Sequence, residues 1–361
     1  MRKILLFLFF LVAVSSQAQV LRGKVIDAET KEAIVSATVY LNGTSYGAMT
    51  DDNGEFALNV GKVINTELIV SLMGYKNAII PNPFVEIPSE IHLERNPKQL
   101  DDIIIASPFS RKQMLAVFKK YFLGDDEFGK ACKIISNEDE IKLGYDVSLK
   151  MLAARSDNPI VIENKRLGYV VTFSLIGFNL IYNYVSLEEF NLLRTYLFGT
   201  SSFKEINEVA SKKIMNNRAK AYRESTNYFF KNFADNTLPE AKYMIFNRSV
   251  SISRDAYFQV TDTNNMKKVE VLSGTDINKR MWDNLRPVGE TDEAIEAKIN
   301  ILYDKKLQSS LMLYTKSFLI DEYGNVDNVN IKELIFSGFM SNSRVGRMLP
   351  FDFEMEGKIS P

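Results

Sequence analysis

Ala37-Thr38-Val39-Tyr40-Leu41-Asn42-Gly43-Thr44-Ser45-Tyr46-Gly47-Ala48-Met49-Thr50-Asp51-Asp52-Asn53-Gly54-Glu55-Phe56-Ala57-Leu58-Asn59-Val60 decides the fold of the first third of the chain. Ala37, Val39 and Leu41 alternate with polar or larger partners, and Phe56, Leu58 and Val60 repeat the pattern. Outward from this stretch, Leu21, Gly23 and Val25 precede it with the same period, and Leu68, Val70 and Leu72 follow. A period of two with polar residues between marks strands buried on one face. Turn chemistry falls between them at Asn42-Gly43, Gly47, Asp51-Asp52-Asn53-Gly54 and Gly74. Short strands with frequent turns and no helical period predict a small antiparallel β-sandwich.

The 361 residues allow two domains of ordinary size, and 46% hydrophobic with 25% charged residues is a foldable composition. The first eighteen residues differ: Arg2 and Lys3, the apolar run Ile4 to Val14, then Ser16 and Ala18 at small-residue positions. That order is expected of a secretory signal peptide cleaved after Ala18, which predicts an exported protein. Removing Arg2 and Lys3 moves the formal charge from −1 to −3, so the basic footprint of a nucleic-acid binder is missing. Cys132 is the single cysteine, which excludes an intramolecular disulfide and leaves no lipid-acceptor cysteine at the cleavage site. No later stretch reaches about 18 uninterrupted apolar residues, so no transmembrane helix is expected. The segment Asp352 to Pro361 is charged and ends in proline, unlike the closing strand of an outer-membrane barrel.

The spaced positions Gly23-x-Val25-x-Asp27, Thr30, Ile34, Ala37-x-Val39, Gly43-Thr44, Gly47, Thr50-Asp51-x-x-Gly54-x-Phe56 and Ser71-x-x-Gly74-Tyr75 fall in one order. That order resembles the carboxypeptidase regulatory-like domain, a transthyretin-like sandwich abundant at the N-termini of exported Bacteroidetes proteins, TonB-dependent receptors among them. Leu100-Asp101-Asp102-Ile103-Ile104-Ile105 is similar to the segment that follows the domain in those receptors. There it leads into a plug and a barrel, for which the roughly 255 residues remaining here are too few.

Pro81 to Lys98, with four prolines, reads as a last strand and a linker. A helix is predicted from Ser110 as N-cap, with Met114, Val117, Phe118, Tyr121 and Phe122 at helical spacing and Gly124 as its stop. Strands are expected at Val147-x-Leu149-x-Met151, Ile160 to Ile162, Tyr169 to Leu175 and Ile181 to Val185. A helical block is expected from about Ile206 to Phe233, broken near Glu224-Ser225-Thr226. Further strands are predicted at Tyr243 to Phe246, Tyr257 to Val260, Val269 to Leu272 and Ile299 to Tyr303. A closing pair, Leu311 to Ile320 with Val329 to Phe336, is joined by the turn Asp321-Glu322-Tyr323-Gly324-Asn325. The expected organisation is a signal peptide over 1–18, an all-β transthyretin-like sandwich over 19–95, a linker over 96–108 and an α+β domain with antiparallel sheet over 109–361. Phe122-Leu123-Gly124, Ala131-Cys132, Glu163-Asn164, Leu167-Gly168-Tyr169, Arg218 to Tyr222 and Met348 to Asp352 resemble exported Bacteroidetes proteins that join this sandwich to a C-terminal domain of undefined activity.

Groups for chemistry are few. A zinc carboxypeptidase site needs two histidines and a glutamate, and His92, on the polar side of the predicted last strand, is alone. No Ser-His-Asp or Cys-His constellation can be built around it, and Cys132 reads as a buried structural thiol. Asp101/Asp102, Asp125/Asp126/Glu127 and Glu138/Asp139/Glu140 are candidate carboxylate pairs of the kind glycosidases use, and also ordinary solvated loops. Asp51 to Glu55 and Asp321 to Asp327 lack calcium-loop spacing and read as tight turns capped by the aspartate. Asn42-Gly43-Thr44 and Asn247-Arg248-Ser249 match the glycosylation pattern by chance in a bacterial-type chain. The sixteen tyrosines could stack sugars, but at strand and helix positions they read as core. No catalytic residue, cofactor or metal is therefore assigned. The expected function is a non-enzymatic interaction protein of the periplasm or outer-membrane surface, with a protein partner and, as an alternative ligand, a glycan. A carboxylate-based hydrolase of envelope or dietary glycan is the alternative reading, and an accessory to TonB-dependent uptake is what the resemblance adds.

Overall fold

The computed structural model describes residues 19–96, 107–247, 249–263, 266–272, 297–327 and 333–355. The expected signal peptide, the acidic pair Asp101/Asp102 and most of the expected linker lie outside the described residues. The chain divides into two compact units, Met1–Ile103 with Thr200–Phe203, and Ile104–Gly199 with Lys204–Pro361.

The first unit holds β1 (Gln19–Asp27), β2 (Thr38–Leu41), β3 (Gly47–Met49), β4 (Glu55–Val60), β5 (Leu68–Ser71), β6 (Ala78–Ile80) and β7 (Glu90–Leu93). They form two sheets, ordered β4-β1-β7 and β3-β2-β5-β6. One buried cluster joins them, and it contains Leu21, Val25, Ala37, Val39, Leu41, Phe56, Leu58, Val60, Leu68 and Val70 as the alternation predicts. Two details depart from the expectation. The β1–β7 pairing is parallel, Lys24 opposite Glu90 through Asp27 opposite Leu93, while the other pairings are antiparallel. The middle strands β2 and β5 are also buried on both faces, since Tyr40 and Ile69 are as inaccessible as their neighbours. Part of the reason is the later piece Thr200–Phe203: the Tyr40 hydroxyl is 2.9 Å from that of Thr200, and Phe203 N donates to the Thr44 carbonyl at 3.0 Å.

The aspartate turn behaves as read. Asp51 Oδ1 accepts from the amides of Asn53 and Glu55 at 2.9 and 2.8 Å. Gly54 sits at φ +74°, where a Cβ would lie 2.5 Å from the Val25 carbonyl oxygen, so glycine alone fits. Asp27, at the end of β1, is only 3% exposed. Its Oδ1 accepts from the amides of Glu29 and Thr30, and its Oδ2 from the Tyr75 hydroxyl at 2.8 Å and Arg95 Nε at 3.0 Å. These bonds hold its carboxyl well below the usual carboxylate range, the Thr30 amide contributing most, then the Tyr75 hydroxyl.

The second unit opens with α1 (Arg111–Leu123). Ser110 and Gln113 exchange hydrogen bonds in a capping box, which satisfies two amides at the helix start. Six strands follow: β8 (Cys132–Ile134), β9 (Ile141–Asp146), β10 (Met151–Ser156), β11 (Ile160–Asn164), β12 (Tyr169–Tyr182) and β13 (Leu192–Glu205). Their sheet runs β8-β11-β12-β10-β9, with β13 also paired to β12. Phe118 and Phe122 of α1 meet Phe178 and Phe173 of β12, with ring centroids 4.9 and 5.3 Å apart. Those two partners fall on different phases of the strand. β12 buries Tyr169, Val171 and Phe173, then Phe178, Leu180 and Tyr182, so the alternation slips by one residue between them, as at a β-bulge. β11 pairs with β12 up to Phe173 and β10 from Phe178 onward.

Two helices come next, α2 (Lys212–Arg223) and α3 (Thr226–Asp235), capped by Ser211 and Ser225, so the expected break falls where it was read. The remaining strands are β14 (Tyr243–Asn247), β15 (Val250–Ser251), β16 (Phe258–Thr263), β17 (Met266–Val271), β18 (Ala297–Tyr303), β19 (Leu307–Leu313), β20 (Ser317–Ile320), β21 (Val326–Asp327) and β22 (Leu334–Gly338). They make two antiparallel sheets, β15-β14-β18-β19-β22 and β16-β17-β20-β21. Phe229, Phe230 and Phe233 of α3 contact rings from both: Tyr243 and Phe336 of the first, Phe258 and Phe318 of the second. A buried aromatic helix joining antiparallel sheets is an α+β arrangement.

Two strand readings are corrected, and one strand was not read. Val147 to Leu149 is a turn between β9 and β10, held by Asp146 Oδ1, which accepts from the amides of Ser148 and Leu149. Leu311 to Ile320 is two strands in two sheets: β19 pairs with β22, and β20 turns through Asp321 to Asn325 into β21. Leu192 to Glu205 is a long strand that the pattern does not reveal, because Leu193, Tyr196 and Phe198 are exposed and blur the alternation.

Candidate functional site

In the second unit, the end of α1 and a segment far along the chain meet backbone to backbone. Gly124 ends the helix, and the chain folds back so that a Cβ on Gly129 would lie 2.2 Å from the Gly124 carbonyl oxygen. A Cβ on Gly346 would lie 2.5 Å from the Leu123 carbonyl oxygen and 2.6 Å from Gly129 Cα. Asn164, 1% exposed, donates from Nδ2 to the Gly346 carbonyl at 2.9 Å, while its Oδ1 accepts from the amides of Arg166 and Leu167. Glycine at these positions allows the approach; any side chain would push the segments apart.

Beside this contact lies a pocket of about 240 Å³, lined by the end of α1 and its loop (Lys120, Tyr121, Gly124, Asp125, Asp126), by Glu189 and Glu224, and by Phe339, Asn342, Ser343, Arg344 and Arg347. Arg347 is its anchor. The guanidinium donates to Asp126 Oδ2 and, at 2.5 Å, to Glu224 Oε2, and stands 4.7 and 5.3 Å from the ring centroids of Phe128 and Phe339. Burial pushes the Arg347 guanidinium down, but its bonds to Glu224 and Asp126 outweigh that and raise it. Burial likewise pushes Asp126 up, yet the Gly129 amide and Arg347 hold it below its ordinary value. Lys120 Nζ bridges Glu189 at 2.7 Å and Asp125 at 3.6 Å, and the Glu189 bond raises its affinity for the proton. All four pocket carboxylates thus face a base.

Of the sequence candidates, Asp125 and Asp126 reach this pocket, and Glu127 pairs instead with Arg166 and with Lys220 Nζ, the latter at 2.6 Å. Glu138, Asp139 and Glu140 separate: Glu138 binds Lys119 Nζ at 2.7 Å and Glu140 accepts from Asn158 Nδ2 at 2.8 Å. His92 is exposed on β7, an edge strand of the first unit. Cys132 donates to the Phe128 carbonyl, and burial, aided by Asp126, pushes its thiol up to about 12. Asp321 Oδ1 accepts from the amides of Tyr323 and Asn325, a turn like that at Asp51. Among the described residues no group of three His, Cys, Asp or Glu side chains is placed to hold a metal ion. The sequence reading passed over Glu189, Glu224, Phe339, Arg344 and Arg347; the one signal near them was the string Met348 to Asp352 just beyond.

Two sheets packed on one buried cluster, with turns held by Asp27 and Asp51, make the first unit a small β-sandwich. Residues 21–105 match the CarboxypepD_reg-like domain family, so this segment is a carboxypeptidase regulatory-like domain, a generally non-catalytic module. No curated protein matches the chain. Among the described residues no helix is long and apolar enough to cross a membrane.

Proposed function

We propose that the protein is an exported, non-enzymatic binding protein of the periplasm or outer-membrane surface. Its regulatory-like sandwich engages a protein partner, and its α+β unit binds a small ligand. One observation carries the reading of the second unit: the acids of its pocket are each bridged by a base, Asp126 and Glu224 by Arg347, Asp125 and Glu189 by Lys120. A general acid must hold a proton near neutral pH, and Asp126 is pulled the other way. The thiol of Cys132 is pushed up rather than down, which is the wrong direction for a nucleophile.

A hydrolase is the second reading, favoured by the presence of four carboxylates around one pocket. A broad screen of the mature protein against peptides, esters and glycans separates the two. The binding reading expects no turnover; hydrolysis lost in Glu224→Gln would replace it with the hydrolase. Cross-linking in envelope preparations tests the partner, which should be captured by residues 19–96 and missed when Asp27 is replaced.

A further inference from the structure

Exposed apolar side chains gather at one end of the first sheet of the second unit. The turn between β9 and β10 carries Val147 and Leu149, and the connection from β12 to β13 carries Tyr184, Val185 and Phe190, all of them exposed. The two connections lie side by side. Met151 stands opposite Ile181 where β10 pairs with β12, Lys150 Nζ donates to the Asn183 carbonyl at 2.9 Å, and the Tyr182 amide donates to the Lys150 carbonyl at 3.0 Å. Buried Tyr145 pins the second connection. Its hydroxyl donates to the Tyr184 carbonyl at 3.4 Å and accepts from the Ser186 amide at 3.1 Å. The apolar side chains are therefore held out into solvent by a bonded framework. An apolar patch kept exposed in this way marks an interaction surface.

The backbone of this tip turns its polar groups inward. The amides of Ser148 and Leu149 donate to Asp146 Oδ1, that of Asn183 to the Asn191 carbonyl, that of Asn191 to the Glu188 carbonyl and that of Glu188 to Ser186 Oγ. Backbone amides bonded within the chain, beneath apolar side chains, suit a lipid surface, because hydrocarbon offers an amide no partner. A partner strand would instead need a row of open backbone groups. The charges point the same way. Lys120 Nζ holds Glu189 at 2.7 Å, and Lys150 stands against Asp146 and Glu188, so the tip carries no surplus of positive charge to seek an acidic partner. Tyrosine suits the headgroup boundary and phenylalanine the acyl side of it. We infer that this end of the sheet docks on a zwitterionic lipid surface, with Phe190, Tyr184 and Leu149 entering it. The inference goes beyond the proposed binding role, which uses the pocket and the sandwich.

Co-sedimentation of the mature protein, from Gln19 onward, with extruded vesicles tests this; residues 1–18 are omitted because their apolar run would itself bind lipid. Phosphatidylcholine vesicles should take the protein up with a partition constant of at least about 10³ M⁻¹, about a tenth of that for a single myristoyl chain. Vesicles of equal parts phosphatidylcholine and phosphatidylglycerol should differ by less than about threefold, and added salt should not release the protein. Phe190→Ser and Tyr184→Ser should each weaken uptake about tenfold, the scale of one large apolar side chain, and leave the melting temperature unchanged. Val209→Ser is the control: at 83% it is as exposed as Phe190 at 82%. It follows Ile206, whose amide bonds the Gly168 carbonyl at the other end of β12, and the substitution should not alter uptake. No uptake by either vesicle overturns the inference, as does uptake by the phosphatidylglycerol vesicles alone or uptake indifferent to both tip variants. Dimerisation lost in Phe190→Ser, without uptake by vesicles, overturns it in favour of a second copy of the chain. The activity screen reads the pocket and strikes the binding role without touching these outcomes.

Discussion

Asn164 and Gly346 are joined by one hydrogen bond, side-chain amide to carbonyl, at 2.9 Å across 182 positions of the chain. The same side chain accepts from two amides on its other end, so a residue with 1% exposure serves three backbone groups. Asn164→Ala strands all three. Buried groups left without partners cost about 1–3 kcal/mol each before relaxation, and a loss of about 3 kcal/mol in unfolding free energy is expected. Urea denaturation should show the midpoint falling with its slope unchanged.

The glycine contact next to it is a steric statement. Gly129→Ala places a methyl 2.2 Å from the Gly124 carbonyl oxygen, and nothing there is a flexible side-chain end. Backbone must move, at a cost of about 2 kcal/mol or more. A thermal melt lowered by several degrees is the expected reading, and an unchanged melt would show that the segments part freely.

Asp27 makes the sandwich sensitive to acid. Its carboxyl titrates below its unfolded value because of the Thr30 amide, the Tyr75 hydroxyl, the Glu29 amide and Arg95. A carboxyl depressed in the folded state contributes stability above its unfolded pKa, about 3.9, and loses it as pH falls toward the folded value. Melting of residues 19–96 within the whole protein should therefore decline below about pH 4. Asp27→Asn should lower the neutral-pH melt and flatten that decline, readable by proteolysis of this segment across pH.

Cys132 should be slow to react. With its thiol pushed up to about 12 by burial and by Asp126, little thiolate exists at pH 8. Labelling by a thiol reagent should be slow in buffer and complete quickly in denaturing urea; rapid labelling of the folded protein would contradict the burial of this thiol.

The sandwich was legible because its information is local. Ala37, Val39 and Leu41, then Phe56, Leu58 and Val60, carry the strand period, and Asp51 with Gly54 spell the turn between. The parallel partner of β1 was not legible, since nothing in Glu90 to Leu93 says which strand direction it meets. In the second unit the N-cap at Ser110 and the break at Glu224-Ser225-Thr226 were readable for the same local reason, while the Gln113 half of the capping box was not read. The pocket was not. The strings Phe122-Leu123-Gly124, Glu163-Asn164 and Leu167-Gly168-Tyr169 were visible, but their roles depend on distant partners. Gly124 belongs with Gly129 and Gly346, and Arg218 bonds the Leu167 carbonyl at 2.7 Å and stands 3.9 Å over the Tyr169 ring. Arg347 looked like any surface arginine until Asp126 and Glu224 came to either side of it.

The reach from Asp126 to Arg347 spans 221 positions, which sets an order of events at the ribosome. At about 5–20 residues per second, the end of α1 waits on the order of ten to forty seconds for the segment that closes over it. During that interval Phe128 has the Arg166 guanidinium over its ring but not that of Arg347. A growing chain of this design carries an unfinished joint for most of its synthesis, and the contact that shapes its pocket is among the late ones to form.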